Sequence, residues 1–145
     1  LQAGQPVHAY VYPPPAFDDD TRNAQHAALT ATDVAQPALG ATSQSVLRVL
    51  EALGLSPAAV AGHSFGEVSA LHAAGVLSAS DAAEVARRRG ALMAEAASTA
   101  PGAMTAVNAG EAQVRAALEG KAGAVVMANI NGPRQVVLSG PLADI

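Results

Sequence analysis

The sequence predicts an α/β protein built in two parts. In the first part, an apolar run at 58–61 precedes a Gly-x-Ser-x-Gly pattern centred on Ser64, and a run of helix-forming residues follows it. In the second part, the residue patterns follow one another in the order strand, helix, strand, strand, which is typical of a small split βαβ unit. Because Pro101-Gly102 is a strong chain break, we expect the two parts to be residues 1–101 and 102–145.

The beginning of the chain predicts little regular structure. The segment 1–20 holds three consecutive prolines and an acidic run, and we expect an irregular surface loop there. A short helix is predicted at 22–31. The next helix should start at Gln36-Pro37, since proline is tolerated in a first turn, and should end at Gly54.

Later helices and strands are indicated by caps and by the period of the apolar residues. A helix from Glu67 should end at Gly75, and a longer one, capped by Ser78 or Ser80, should reach about Ala97. In the second part we expect a strand at 103–107, a helix at 111–118, a strand at 124–130, a turn at 131–134 and a strand at 135–138.

Ser64 lies in the sequence setting of a nucleophile elbow. A serine on a sharp strand-to-helix turn exposes its hydroxyl, and Gly62 and Gly66 would remove side chains that crowd such a turn. The amide of Phe65 would lie at the helix N-terminus, where an unpaired N–H and the helix dipole favour a developing oxyanion. The pattern predicts acyl transfer through a serine ester; the alternative is an ordinary turn serine.

Composition excludes several classes of function. The chain has 145 residues and a net charge of −4, which argues against nucleic acid or an anionic membrane as a partner. It has no cysteine, so a disulfide framework, a zinc–thiolate site and a cysteine nucleophile are excluded, and no metal site is expected. It has neither a membrane-spanning apolar run nor a signal-peptide pattern, so the expectation is a soluble cytoplasmic protein.

None of the histidines is a convincing base for Ser64. His63 is its direct neighbour, and neighbours on an elbow point apart, so we expect His63 to be a packed residue with satisfied ring nitrogens. His72 lies about two helical turns further on, and His8 and His26 lie in loop-like regions. The sequence either lacks the base or, as we expect, has it beyond residue 145.

Three consecutive arginines form a second signal. On a helix, Arg87, Arg88 and Arg89 point about 100° apart, so one could face a pocket and bind a carboxylate with its planar fork. The spacing alone favours the alternative, a solvated basic surface near the end of a helix.

A series of short strings then identifies a family. They are Ala-Gln-Pro-Ala-Leu at 35–39, Gly-His-Ser-Phe-Gly-Glu at 62–67, Ala-Ala-Gly-Val-Leu-Ser at 73–78, Arg-Gly-Ala-Leu-Met-Ala-Glu-Ala at 89–96, Gly-Ala-Met at 102–104 and Asn-Ile-Asn-Gly-Pro-Arg-Gln-Val-Val-Leu-Ser-Gly at 129–140. In order and spacing they resemble the acyltransferase domain of polyketide and fatty-acid synthases, the malonyl-CoA:carrier-protein transacylase family. The Tyr-Pro-x-Pro start and Phe65 are more similar to the acyltransferases of iterative polyketide, enediyne or polyunsaturated fatty-acid synthases.

The resemblance implies a role for each matched residue. Ser64 would be the nucleophile that carries the acyl group, and the Phe65 amide would be part of the oxyanion hole. Arg89 would pair with the free carboxylate of a malonyl group, which reverses the preference for a solvated arginine. The further substrate-binding residues would be His63, Asn129 and Asn131.

The resemblance also implies the fold, the substrates and the partners. The fold would be an α/β-hydrolase-like parallel-sheet core with the start of a ferredoxin-like α+β subdomain. Malonyl-CoA would be the substrate, with no permanently bound cofactor, and the acceptor would be the phosphopantetheine of an acyl carrier protein. Neighbouring ketosynthase and other synthase domains would be further partners.

Some family features are missing from the sequence. The Gly-Gln-Gly segment, the histidine base and the specificity segment are absent, and the chain begins with Leu1 rather than methionine. We therefore expect a piece of a longer polypeptide that is not a competent transferase by itself. Two rival functions remain: a serine hydrolase or thioesterase with the same elbow, and a non-catalytic docking or structural fragment of a megasynthase.

Overall fold

A computed structural model describes residues 5–121 and 123–145 of the chain. In these residues the helices and strands follow in the order α1 (Val7–Val11), α2 (Asp19–Thr30), α3 (Thr32–Ala52), α4 (Gly66–Ala73), α5 (Ala79–Thr99), β1 (Gly102–Val107), α6 (Glu111–Leu118), β2 (Val126–Gly132) and β3 (Gln135–Pro141). The contacts divide the chain into two compact units, one ending at Glu95 and the other beginning at Ala96, so the division lies inside α5. None of the helices in the described ranges has the length and apolarity that crossing a bilayer needs.

Local capping sets the ends of several helices. The Asp18 carboxylate accepts a hydrogen bond from the Thr21 amide at 2.6 Å, which starts α2 and lowers the pKa of Asp18. The Ser78 hydroxyl accepts one from the Asp81 amide at 3.1 Å and starts α5, as predicted. Gly54 and Gly75 follow α3 and α4 with φ of 78° and 76°, which confirms both as left-handed C-terminal residues.

Two expectations for the beginning of the chain are wrong. Part of the expected loop at 1–20 forms α1, although residues 1–4 lie outside the described ranges. Helix α3 starts at Thr32, so Pro37 lies inside the helix rather than in its first turn. Burial of Val34 and Ala38 explains the early start, because packing outweighs the backbone hydrogen bond that a proline cannot donate.

The predicted strand at 58–61 is also wrong. These residues are exposed and have no regular structure, and no described segment pairs with them. An extended segment becomes a strand only when a neighbour supplies hydrogen-bond partners for its backbone. The parallel sheet that we expected around this segment is therefore absent from the described residues, and the segment enters the elbow as solvated, irregular chain.

The core of the first unit is built on small residues. Phe65, Val68, Ala82 and Ala86 form a buried cluster, with Leu77 packed against it. A β-carbon added to Gly90 would lie 2.9 Å from the Thr32 carbonyl oxygen, so α5 touches the backbone of α3 there. The glycine therefore allows a helix contact that no larger residue fits.

The second unit confirms the predicted order of strand, helix, strand, strand. Its sheet has the order β1-β3-β2, and β3 is antiparallel to both neighbours, so β1 and β2 are parallel with β3 between them. This is a split βαβ arrangement. Helix α6 packs on β3, and Val114 and Val136 are 4% and 0% exposed. The second strand begins at Val126, later than predicted, and the third continues to Pro141.

The contact at Gly90 yields a stability prediction. We expect Gly90→Ala to lower the free energy of unfolding by about 1–3 kcal/mol, because the added methyl group would meet the α3 backbone. This should hold although alanine favours an isolated helix by about 1 kcal/mol over glycine. Urea unfolding followed by circular dichroism is the measurement. Ala91→Ser, which adds one heavy atom at the exposed neighbour, is the control. A more stable Gly90→Ala variant would contradict the close contact.

Candidate active site

Ser64 has a strained backbone in an exposed turn. Its φ is 55°, and it is the one non-glycine residue with positive φ in the described parts of the chain. Two turn hydrogen bonds hold it: the Gly66 amide donates to the His63 carbonyl at 2.9 Å, and the Glu67 amide to the Ser64 carbonyl at 3.1 Å. Such strain at an exposed serine, directly before α4, is the geometry expected of a nucleophile elbow.

The two glycines of the motif have different roles. A β-carbon on Gly62 would lie 2.0 Å from both the carbonyl carbon and the oxygen of Gly66, so only glycine fits there. A β-carbon on Gly66 would meet nothing within 4 Å. The expectation that both glycines relieve crowding is therefore confirmed for Gly62 and wrong for Gly66.

Phe65 anchors the elbow to the core. The residue is 8% exposed, and its ring atom Cζ lies 3.2 Å from where a β-carbon on Gly40 would be. The residue is the N-cap of α4, and neither turn hydrogen bond uses its amide. The Phe65 N–H therefore lies at the positive end of a helix dipole, next to the serine hydroxyl.

Arg89 points at the serine from α5. Its Nη2 donates to the Ser64 hydroxyl at 3.3 Å, and its Nη1 donates to the Gln36 side-chain oxygen at 2.6 Å. Arg89 is half-buried, whereas Arg87 and Arg88 are exposed and pair with Glu84. Of these three arginines, Arg89 is the one whose side chain contacts Ser64. Consecutive residues of a helix point about 100° apart, so one can face the serine while the other two do not.

The Glu84 ion pairs account for the other two arginines. Hydrogen bonds from Arg87 and then Arg88 lower the pKa of Glu84 to about 2 from 4.5, and the same contact raises the pKa of Arg87. All three side chains are exposed, so these pairs are weak and screened by salt. Arg87 and Arg88 thus contact Glu84 rather than Ser64.

Gln36 is the site residue that sequence reasoning missed. It is 5% exposed and lies on α3, far from the elbow in sequence. Within α3 it shares a face with Gly40, one turn further on, whereas Val34 and Ala38 lie on the opposite face. Its place in the string Ala-Gln-Pro-Ala-Leu at 35–39 is the signal that could have found it.

A groove of about 730 Å³ adjoins the elbow, between α3, the segment before Ser64 and α4. Apolar side chains, among them Leu39, Val46 and Val60, dominate its walls, and His63 and His72 lie along it. His63 is exposed, so its expected packing is wrong. The Nδ1 of His72 is 2.9 Å from the Leu77 carbonyl oxygen, which ties that ring to the loop between α4 and α5.

The predicted asparagines lie in the second unit. Asn129 and Asn131 are both on β2, and the side-chain nitrogen of Asn131 donates to the Gln135 side-chain oxygen at 3.1 Å. The structure thus brings Ser64, Phe65, His63 and Arg89 together within the first unit. The roles of these four residues and of the two asparagines stay predictions. In the described ranges, no cluster of His, Asp or Glu side chains is suited to hold a metal ion.

The sequence comparisons agree with this geometry. Residues 18–145 match the acyl transferase domain family. The chain belongs to that family. A polyketide synthase of Streptomyces halstedii, GfsA, is 47% identical over 117 residues, which cover 81% of this chain and 2% of that protein. The malonyl CoA-acyl carrier protein transacylase of Bacillus subtilis is 45% identical over 116 residues, or 77% of this chain and 37% of that protein.

Solved acyltransferase structures have the same fold. The acyltransferase domain from the second module of the salinomycin polyketide synthase matches with a TM-score of 0.72 and 47% identity, over 80% of this chain and 27% of that one. The acyltransferase domain of an iterative polyketide synthase in enediyne biosynthesis matches with a TM-score of 0.71 and 41% identity, over 77% and 29%. The chain therefore spans well under two thirds of these acyl transferase relatives.

The elbow glycines yield a matched pair of predictions. We expect Gly62→Ala to lower the free energy of unfolding by about 3 kcal/mol or more, because its methyl group would overlap the Gly66 carbonyl. Gly66→Ala should leave the free energy of unfolding unchanged or slightly raise it, because the added methyl group would lie in open space. Urea unfolding of both variants is the measurement. Equal stabilities would contradict the elbow geometry.

Proposed function

We propose that the chain is an acyltransferase domain that loads a malonyl-type extender unit during polyketide or fatty-acid biosynthesis. The unit would pass from coenzyme A, through an ester on Ser64, to the phosphopantetheine thiol of an acyl carrier protein. The observation that carries the proposal is the 3.3 Å contact between the Arg89 guanidinium and the Ser64 hydroxyl. The names of the relatives, polyketide synthases and a malonyl CoA-acyl carrier protein transacylase, support it.

The contact suits a short dicarboxylic acyl group. In a malonyl thioester, one methylene group separates the reacting carbonyl from the free carboxylate. A guanidinium beside the nucleophile can therefore bind the carboxylate with its planar fork while the carbonyl carbon lies against the serine oxygen. An acetyl group would leave the half-buried cation unpaired, which disfavours it.

The reaction would proceed in two transfers. The Ser64 oxygen attacks the thioester carbonyl carbon, and its proton passes to a base. We propose that the base is the family's histidine, which the resemblance places downstream of residue 145. The Phe65 amide stabilises the tetrahedral oxyanion, and coenzyme A takes the proton from the base and leaves as the thiol. The carrier thiol then gives its proton to the base and attacks the serine ester, which forms the new thioester and releases the Ser64 oxygen as its hydroxyl.

The same proposal includes the finer architecture. Residues 1–101 would belong to an α/β-hydrolase-like core, supported by the elbow at Ser64. Residues 102–145 would begin a ferredoxin-like subdomain, supported by the split βαβ order of the second sheet. His63, Asn129 and Asn131 would contact the substrate, and neighbouring synthase domains would be partners.

Acylation of Ser64 is the first test. Incubation of the full-length protein with malonyl-CoA should add one malonyl group, seen by intact mass spectrometry, and Ser64→Ala should abolish the addition because it removes the attacking oxygen. Steady release of free malonate that outruns transfer to a carrier protein would favour a hydrolase. No addition to a folded protein would favour a non-catalytic fragment.

Substrate preference tests Arg89. We expect Arg89→Ala to lower kcat/KM for malonyl-CoA relative to acetyl-CoA by about ten- to a hundredfold, the usual effect of losing a charged hydrogen bond. Arg88→Ala is the matched control, because Arg88 is exposed and pairs with Glu84. An unchanged ratio in Arg89→Ala would remove Arg89 from the substrate site.

A further inference from the structure

Gln36 is a buried polar residue behind the proposed site. It is 5% exposed, and both ends of its amide have partners. Its oxygen accepts from Arg89 Nη1 at 2.6 Å, and its nitrogen donates to the Met93 sulfur at 3.2 Å. It therefore links α3 to two residues of α5 that are one helical turn apart.

The chemistry of the partners fixes the orientation of this amide. A guanidinium only donates hydrogen bonds, so the amide oxygen must face Arg89. A thioether only accepts, so the amide nitrogen must face Met93. Rotating the amide so that its oxygen and nitrogen change places would break both hydrogen bonds. Gln36 therefore holds Arg89 in one position.

The neutrality of Gln36 matters as much as its position. Arg87 and Arg88 both form ion pairs with Glu84, whereas Arg89 forms no ion pair with a carboxylate in the described parts of the chain. A carboxylate at position 36 would neutralise the guanidinium and compete with any anionic ligand. A carboxamide instead binds one donor of Arg89 and leaves its charge available to a second anion.

We propose that Gln36 is a positioning residue that holds Arg89 beside Ser64 as an uncompensated cation, and so sets selectivity for acyl groups that end in a carboxylate. The inference rests on the proposed function, since it assigns the origin of that site's selectivity. It concerns the hydrogen bond between Gln36 on α3 and Arg89 on α5. It predicts that charge at position 36 changes substrate preference more than it changes turnover.

The test compares Gln36→Glu with Gln36→Met in the full-length protein. Gln36→Glu should lower kcat/KM for malonyl-CoA by about tenfold or more, mainly through KM, and should lower kcat/KM for acetyl-CoA much less. Gln36→Met removes the hydrogen bond without adding charge and should have a smaller effect in the same direction. Gln25→Glu is the matched control, because Gln25 also uses its amide nitrogen in one hydrogen bond, to the Pro14 carbonyl at 2.8 Å.

A double-mutant cycle separates positioning from general damage. In an Arg89→Ala background, Gln36→Glu should no longer change the malonyl-to-acetyl ratio, because the cation that it neutralises is gone. Urea unfolding checks that each variant is folded. An unchanged ratio in folded Gln36→Glu, or an equal change in the Arg89→Ala background, would overturn the proposal.

A binding measurement distinguishes this inference from the proposed function. Calorimetry of malonate against acetate, on the Ser64→Ala protein, should show malonate binding that Gln36→Glu weakens about tenfold and Gln25→Glu does not. If that result holds while no acyl-enzyme forms on the unmodified protein, the role of Gln36 stands and the transferase proposal fails. If Gln36→Glu leaves the affinity for malonate unchanged, the proposed role of Gln36 is wrong.

Discussion

The close approach of α3 and α5 is the constraint on which the geometry of the candidate site depends. It is possible because Gly90 meets the Thr32 carbonyl, and because Ala86 and Gly40 leave room for the Phe65 ring. Large side chains at these positions would separate the helices by at least a methyl group. Arg89 directly precedes Gly90 on α5, so the same approach that packs the core also carries the guanidinium to Ser64.

The site combines a strained turn with a prepositioned charge. Ser64 has a positive φ that costs energy and persists because Gly62 and the buried Phe65 ring hold both sides of the turn. Arg89 is held by a neutral amide rather than by a carboxylate. The chain therefore has a strained turn and a partly desolvated cation, and both features fit the proposed site, in which an anion would bind next to a nucleophile.

Features set by neighbouring residues were predicted well from sequence. The ends of α3 and α4 at Gly54 and Gly75 follow from residues within a turn of each boundary. The strand, helix, strand, strand order of the second unit follows from apolar periodicity. The strand at 58–61 was wrong because apolar residues favour a strand only when another strand pairs with them. The early start of α3 was missed because burial, not local preference, determines it.

The sequence alone determined the elbow motif, the family resemblance and the presence of three candidate arginines, because each is a property of consecutive residues. Only the tertiary structure decided that Arg89 faces Ser64, and that Arg87 and Arg88 pair with Glu84. It also brought Gln36 to Arg89 across 53 positions of sequence. The physical reason is that a side chain's partner across two packed helices depends on how closely and at what rotation they meet, which no local pattern encodes.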